Sequence, residues 1–190
     1  MIAFAEIHRL LAGRDPLLLV DERKTRAAVA VVLHQDCGAL RLLFIERARR
    51  RGDPWSGHIA FPGGKVEQYD REPRSTAERE IIEEIGLDLR SAEYLGRLDD
   101  LTGTTLPVLV SAFVYSVENP GYFELNDEVR EAFWVPATDL ADTQRYVQHK
   151  FRYHGAEHVY PAIDLLGAGR PVLWGLTYRF VVQLLQLTEC

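Results

Sequence analysis

Gly64-Lys65-Val66-Glu67-Gln68-Tyr69-Asp70, followed after eight residues by Arg79-Glu80-Ile81-Ile82-Glu83-Glu84-Ile85-Gly86-Leu87, is the stretch on which the reading of this chain turns. Its second half has helical spacing. At about 100° per residue, Glu80, Glu83 and Glu84 share one arc of the surface, and Ala77, Ile81 and Ile85 form the adjoining apolar stripe. Ser75-Thr76-Ala77-Glu78 matches a capping box and predicts the helix start, and Gly86 suits its C-terminal stop. Carboxylates at i and i+4, as Glu80 and Glu84 are, cost an isolated helix a few tenths of a kcal/mol. The cost grows where water is excluded. A bound cation reverses the sign. An all-oxygen ligand set favours hard ions such as Mg²⁺ or Mn²⁺, and Mg²⁺ commonly combines one or two carboxylates with water and substrate phosphates. A phosphate-bearing substrate follows. Arg79, four residues before Glu83, is placed to orient that carboxylate.

Working outward, Phe4, Ile7, Leu10 and Leu11 predict an N-terminal helix that ends near Gly13 to Pro16. The β-branched run 27–33 and the apolar run 40–45 flank a turn-like His34-Gln35-Asp36-Cys37-Gly38 and predict a strand pair. Gly52 to Gly57 reads as a loop, Ile59-Ala60-Phe61 as a short strand, and Pro62-Gly63-Gly64 as a turn. Further strands are expected near 94–98, 108–117 and 133–135, with a strand pair across 146–160. Pro171 is expected to open a final helix carrying Phe180, Val181, Leu184 and Leu185 on one face. The resulting expectation is one α+β domain over residues 1–190, with a helical extension at 1–20 and a C-terminal helix at 170–188.

A chain of 190 residues, 47% hydrophobic and 26% charged, has the composition of a globular protein that needs no disulfide or metal staple. A net charge of -6 argues against a nucleic-acid partner, whose phosphates call for a basic face. Arg47-Ala48-Arg49-Arg50-Arg51 is a local exception. Cys37 and Cys190 lack ligand spacing, no apolar run approaches the roughly 20 residues of a membrane span, and Glu6, His8 and Arg9 interrupt any signal-like segment. These features predict a soluble, cytoplasmic protein with no membrane partner.

An acidic triplet taken alone more often marks a solvated helix face. Here its flanks carry a pattern. Residues 64–87 resemble the Nudix box: Gly, five residues, Glu, seven residues, Arg-Glu, apolar, any, Glu-Glu, any, Gly, apolar. From Arg79 onward every fixed position matches. Before it, Asp70 stands where Glu is usual, and the loop into the helix is one residue longer. The resemblance implies a Nudix-type α/β/α sandwich with a mixed β-sheet, Mg²⁺ or Mn²⁺ on Glu80, Glu83, Glu84 and the Gly64 carbonyl, and water attack on a nucleoside diphosphate linked to another group. It makes Glu83, Glu84 and Arg79 catalytic candidates. The general base is a box glutamate or an acid from a later loop, for which Glu128, in Asn126-Asp127-Glu128-Val129, is the candidate. A homodimer is compatible with the family, and no sequence patch marks an interface.

Gly57 before Phe61-Pro62-Gly63-Gly64, together with Trp174-Gly175-Leu176-Thr177, resembles the branch of that family that splits coenzyme A into 3′,5′-ADP and 4′-phosphopantetheine. Arg47-Ala48 fits that branch's upstream signature, but its second arginine slot holds Asp53. The expected substrate contacts are Arg47, His58, Gly63 and Gly64, a guanidinium pairing well with phosphate. Trp55 is able to stack on a base, although a loop aromatic more often packs. His149, His154 and His158 lack zinc spacing. The competing readings are an ADP-ribose or dinucleotide pyrophosphatase and a non-catalytic Nudix ligand-binding module. The intact carboxylate triad weighs against the latter.

Overall fold

The computed structural model describes residues 4–52, 55–104, 106–153 and 155–187. Asp53, His154 and Cys190 therefore lie outside the described residues. The two apolar runs pair as expected: β1 (Thr25–Asp36) and β2 (Ala39–Arg47) are antiparallel across a turn where Cys37 and Gly38 take positive φ. Their pairing covers only Leu33–Asp36 against Ala39–Leu42, after which the two strands splay apart. Into the gap come β3 (Ile59–Ala60), paired with β2, and β4 (Gly63–Lys65), paired with β1. The Pro62-Gly63-Gly64 segment expected as a turn is thus largely strand, with Pro62 accepting from the Ala30 N–H at 2.8 Å. β5 (Glu93–Arg97), β6 (Leu101–Thr102) and β8 (Val129–Pro136) add antiparallel strands, and β7 (Val108–Ser116) runs parallel to β1. The sheet is mixed.

Alternation along the strands divides the core into two layers. Ala28, Ala30 and Val32 of β1, Leu43 and Ile45 of β2, and Phe113 and Tyr115 of β7 face α2 (Pro73–Ile85), which buries Ala77, Ile81 and Ile85 completely. Val31, Leu33, Leu42, Phe44 and Val114 point the other way. On that side they meet Ile7 and Leu11 of α1 (Phe4–Ala12) and Phe180, Val181 and Leu184 of α4 (Gly175–Leu187). This is the expected α/β/α sandwich. A short α3 (Ala137–Ala141) follows β8, and β9 (Tyr146–Tyr153) and β10 (Ala156–Ile163) form the expected pair.

Two expectations about helix starts are corrected. α2 begins at Pro73, its N-cap Glu72 makes no side-chain capping bond, and the Ser75–Glu78 capping box does not form. The Thr76 hydroxyl instead donates to Asp70 at 2.8 Å, and Glu78 accepts from Arg74 and Tyr115. Proline at the first helical position supplies the start, since its fixed φ suits a helix and its missing donor goes unneeded. At the other end, Pro171 opens no helix. Residues Leu173–Trp174 form β11 against Ala162–Ile163 of β10, and α4 starts only at Gly175, whose φ of 69° turns the chain. No helix among the described residues is long and apolar enough to cross a membrane.

Candidate active site

The two glycines of β4 bring sheet and acidic helix together, each for its own reason. At Gly63 a Cβ would fall 2.3 Å from the Ala28 carbonyl oxygen and 2.7 Å from the Val29 Cα, so only glycine lets β4 lie this close on β1. At Gly64 a Cβ would fall 2.3 Å from the carboxyl carbon of Glu80. That carboxylate therefore sits directly on the strand backbone. Glu84, 2% exposed, accepts from the Gly63 N–H at 2.9 Å, with Arg47 Nη1 3.9 Å away. Burial pushes the Glu84 carboxyl up to about 8, against the pull of the Gly63 N–H and Arg47. Burial also raises Glu80, with Arg79 opposing. The fold thus holds two acids against a backbone edge that disfavours their charge. A cation there would offset that cost, and the donor set, carboxylates beside a strand carbonyl, suits a hard one.

Arg79 organises the rest. Its Nε and Nη2 donate to the two oxygens of Asp70 at 3.2 and 3.1 Å, and its Nη1 donates to Glu80 at 2.8 Å and Glu83 at 3.1 Å. The expected Arg79–Glu83 pair is present as one arm of a larger fork. As placed, no three acidic, histidine or cysteine side chains among the described residues close into a metal ligand set. Glu83 is half exposed, and both it and Glu80 turn toward the guanidinium, as repelling acids would. Asp70, the departure from the family pattern, proves to be the anchor. It also accepts from Thr76 Oγ1 at 2.8 Å and the Glu67 N–H at 2.9 Å, and Arg79 above all holds its carboxyl down at about 2. Its spacing gave no sign of this, because Asp70 acts through a contact formed only when the loop folds onto the helix.

The segment after β7 closes the C-terminal end of α2. The Glu124 and Asn126 N–H groups donate to the Ile85 and Glu84 carbonyls at 2.9 and 3.0 Å, satisfying acceptors that a helix end leaves open. This pins Glu128 near the acids, close enough that its charge opposes ionisation of both Glu80 and Glu84. Its carboxylate accepts from Arg50 Nη1 at 2.8 Å, and its carbonyl accepts from the Ala48 N–H at 2.7 Å. From the arginine run, then, Arg47 faces Glu84 and Arg50 holds Glu128.

A cleft of about 620 Å³ opens where β1 and β2 splay. Arg47, Gly63, Gly64 and Lys65 line it at the acidic end, and Trp55, Leu106, Trp174 and Leu176 line it elsewhere. His58 also borders the cleft, its ring 5.0 Å from Trp174 and 5.9 Å from Phe151, so it belongs to an aromatic wall. Trp55 packs edge-on to His58 at 6.1 Å. His149 lies 4.9 Å from Trp174, and His158 lies 6.1 Å from Tyr160. The aromatic wall was hidden in the sequence, since its members come from 55 to 174.

The glycine pair yields a paired expectation. Gly63→Ala collides with rigid backbone and should destabilise the fold by about 1–3 kcal/mol. Gly64→Ala meets first the end of the flexible Glu80 side chain. It should leave the melting temperature nearly unchanged while displacing Glu80 and lowering turnover. Thermal melts and initial rates on the two variants check this, and equal loss of stability in both would contradict it.

Residues 24–155 match the family model of the NUDIX domain. Among curated proteins, the chain is 34% identical over 184 residues to the human mitochondrial coenzyme A diphosphatase NUDT8, covering 93% of this chain and 75% of that protein. It is 39% identical over 107 residues to an uncharacterized protein of Schizosaccharomyces pombe, covering 52% of this chain but only 32% of that one. Among solved structures, a MutT/nudix family protein from Enterococcus faecalis superposes with a TM-score of 0.57 at 18% identity, covering 97% of this chain and 68% of that one. That likeness concerns the fold.

Proposed function

The chain belongs to the Nudix hydrolase family, and on that premise we propose that it is a divalent-cation-dependent pyrophosphohydrolase whose substrate is coenzyme A or a close derivative. The observation that carries the hydrolytic reading is the seat of Glu80 on Gly64, with Glu84 buried beside it on the Gly63 N–H. Carboxylates are held at such desolvation cost where a cation and an anionic substrate will offset it. Glu80 and Glu84, with Glu83 and the Gly64 carbonyl, would hold Mg²⁺ or Mn²⁺. The bound ion would supply an acidified water and neutralise charge on the phosphates.

The protein's own groups do the remainder. Glu128, at the rim of the acidic site, is the candidate base for the attacking water's proton, and Arg50 fixes its carboxylate. Arg79 aligns Glu80 and Glu83 while Asp70 fixes Arg79. Arg47 faces the cleft from beside Glu84 and is suited to a substrate phosphate. Gly63 and Gly64 line the same cleft and are the backbone candidates for a substrate contact. His58 borders the cleft as part of its aromatic wall.

Two features support coenzyme A over other nucleoside diphosphates: the Arg47-Ala48 and Trp174-Gly175-Leu176-Thr177 motifs, and the 34% identity to the human coenzyme A diphosphatase. The test is a panel of coenzyme A, ADP-ribose, NADH, diadenosine polyphosphates and nucleoside triphosphates with Mg²⁺ or Mn²⁺, products being resolved chromatographically. The expected result is 3′,5′-ADP and 4′-phosphopantetheine, with kcat/KM for coenzyme A above the others by at least about tenfold. Comparable rates on ADP-ribose, or none on coenzyme A, would overturn the substrate. No turnover on any compound would favour a ligand-binding module.

A further inference from the structure

Resting on the pyrophosphohydrolase reading above, we propose that the wall built by Trp174 and Leu176 selects a substrate whose diphosphate carries a flexible, uncharged aliphatic arm, and rejects one carrying a second base or sugar. Both residues lie beyond the segment that the family model matches, which ends at 155. Both are thus separate in sequence from the acidic helix, and Leu106 shares the cavity with them.

Trp174 is 8% exposed and ringed by other aromatics, with Phe151 at 4.6 Å, His149 at 4.9 Å, His58 at 5.0 Å and Tyr160 at 5.2 Å. Base stacking needs an open ring face. Here four tilted or edge-on rings, at interplanar angles of 39° to 67°, close around the indole and leave little of it for an incoming base. What the wall offers instead is apolar surface. A smaller cavity of about 100 Å³ adjoins the main cleft through shared Trp55, Leu106, Trp174 and Leu176, and Tyr160 and Pro161 extend its lining. Arg179 also borders it, but donates its Nη1 to the Thr102 carbonyl at 2.8 Å.

A sugar or phosphate moved into such surroundings gives up hydration that these walls do not replace. An aliphatic chain gains by burial, at about 0.8 kcal/mol per methylene. The junction at Gly175 gives the wall its shape. β11 ends at Trp174, Gly175 with its positive φ opens α4, and Leu176 in the first turn lines the same cavity.

The experiment compares Leu176→Asn and Leu106→Asn with wild type on coenzyme A and on NADH, and adds pantetheine, which is the arm alone, as an inhibitor. The expected result is a fall of about tenfold in the selectivity for coenzyme A over NADH, carried by KM. Pantetheine should inhibit wild type competitively and the variants about tenfold more weakly. An unchanged selectivity ratio in folded variants, or no inhibition of wild type by pantetheine, would overturn the proposal. If the variants do not fold, the wild-type inhibition decides alone. Failure here is distinct from failure of the underlying reading, which would show as no hydrolysis of coenzyme A by wild type.

Discussion

Glu84→Gln is expected to lower kcat by more than about a hundredfold while leaving the melting temperature, measured without divalent cation, at or above that of wild type. Loss of a group that merely orients a metal ligand costs roughly 10–100-fold. A residue that would itself contact the ion should cost more. The stability expectation runs the other way because Gln keeps an acceptor for the Gly63 N–H and removes a carboxylate that is 2% exposed. Burial already holds that carboxyl at about 8, so above that value its charged form costs the fold stability that the neutral amide does not. Steady-state rates and thermal melts on one preparation check both halves. A variant that is fully active, or one that is inactive because it has unfolded, would contradict this account of Glu84.

Asp70→Asn should produce the largest stability loss among the site residues, about 2–3 kcal/mol. In a chain of this size that lowers the melting temperature by about 5–10 °C. The Asp70 side chain is 3% exposed and satisfies four donors: two from Arg79, the Thr76 hydroxyl and the Glu67 N–H. Asn presents an amide N–H₂ to the guanidinium in place of one oxygen. Arg79 would then release Glu80 and Glu83, so activity should fall as well, by about 10–100-fold.

The pH dependence has a definite sign. A carboxyl held at about 2 instead of 3.8 contributes stability that is complete above 3.8 and lost as pH falls through 2. The gap between wild type and Asp70→Asn in urea unfolding should therefore be constant above pH 4 and narrow from there down toward pH 2. A gap that widened on acidification would refute the pairing.

What could be read from the sequence was whatever local pattern decides. The stripe Ala77, Ile81 and Ile85, the stop at Gly86, and the continuous apolar runs of β1, β2 and β7 came from neighbours in the chain, and the fold kept them. The acidic arc was legible for the same reason. The failures occurred where tertiary contacts outrank local signals. Ser75-Thr76-Ala77-Glu78 has the spacing of a capping box, but Asp70 claims Thr76, Arg74 and Tyr115 claim Glu78, and Pro73 starts the helix earlier. Pro171 read as a helix start, yet β10 offers Leu173–Trp174 an edge to pair with. Glu46 is a carboxylate within an apolar strand run and is fully buried, because Arg130 and Arg170, distant in sequence, close on it. The aromatic wall and the role of Asp70 likewise rest on long-range contacts that no window of sequence displays.

The central claim is that the acidic face of α2, seated on Gly63 and Gly64, binds the divalent cation that hydrolysis requires. Titration of Mn²⁺ followed by electron paramagnetic resonance, on wild type and on folded Glu84→Gln, tests it most directly. The account predicts that wild type depletes the free-ion signal at stoichiometric protein and that the variant loses this binding along with its activity. Equal Mn²⁺ binding by the two proteins would contradict it.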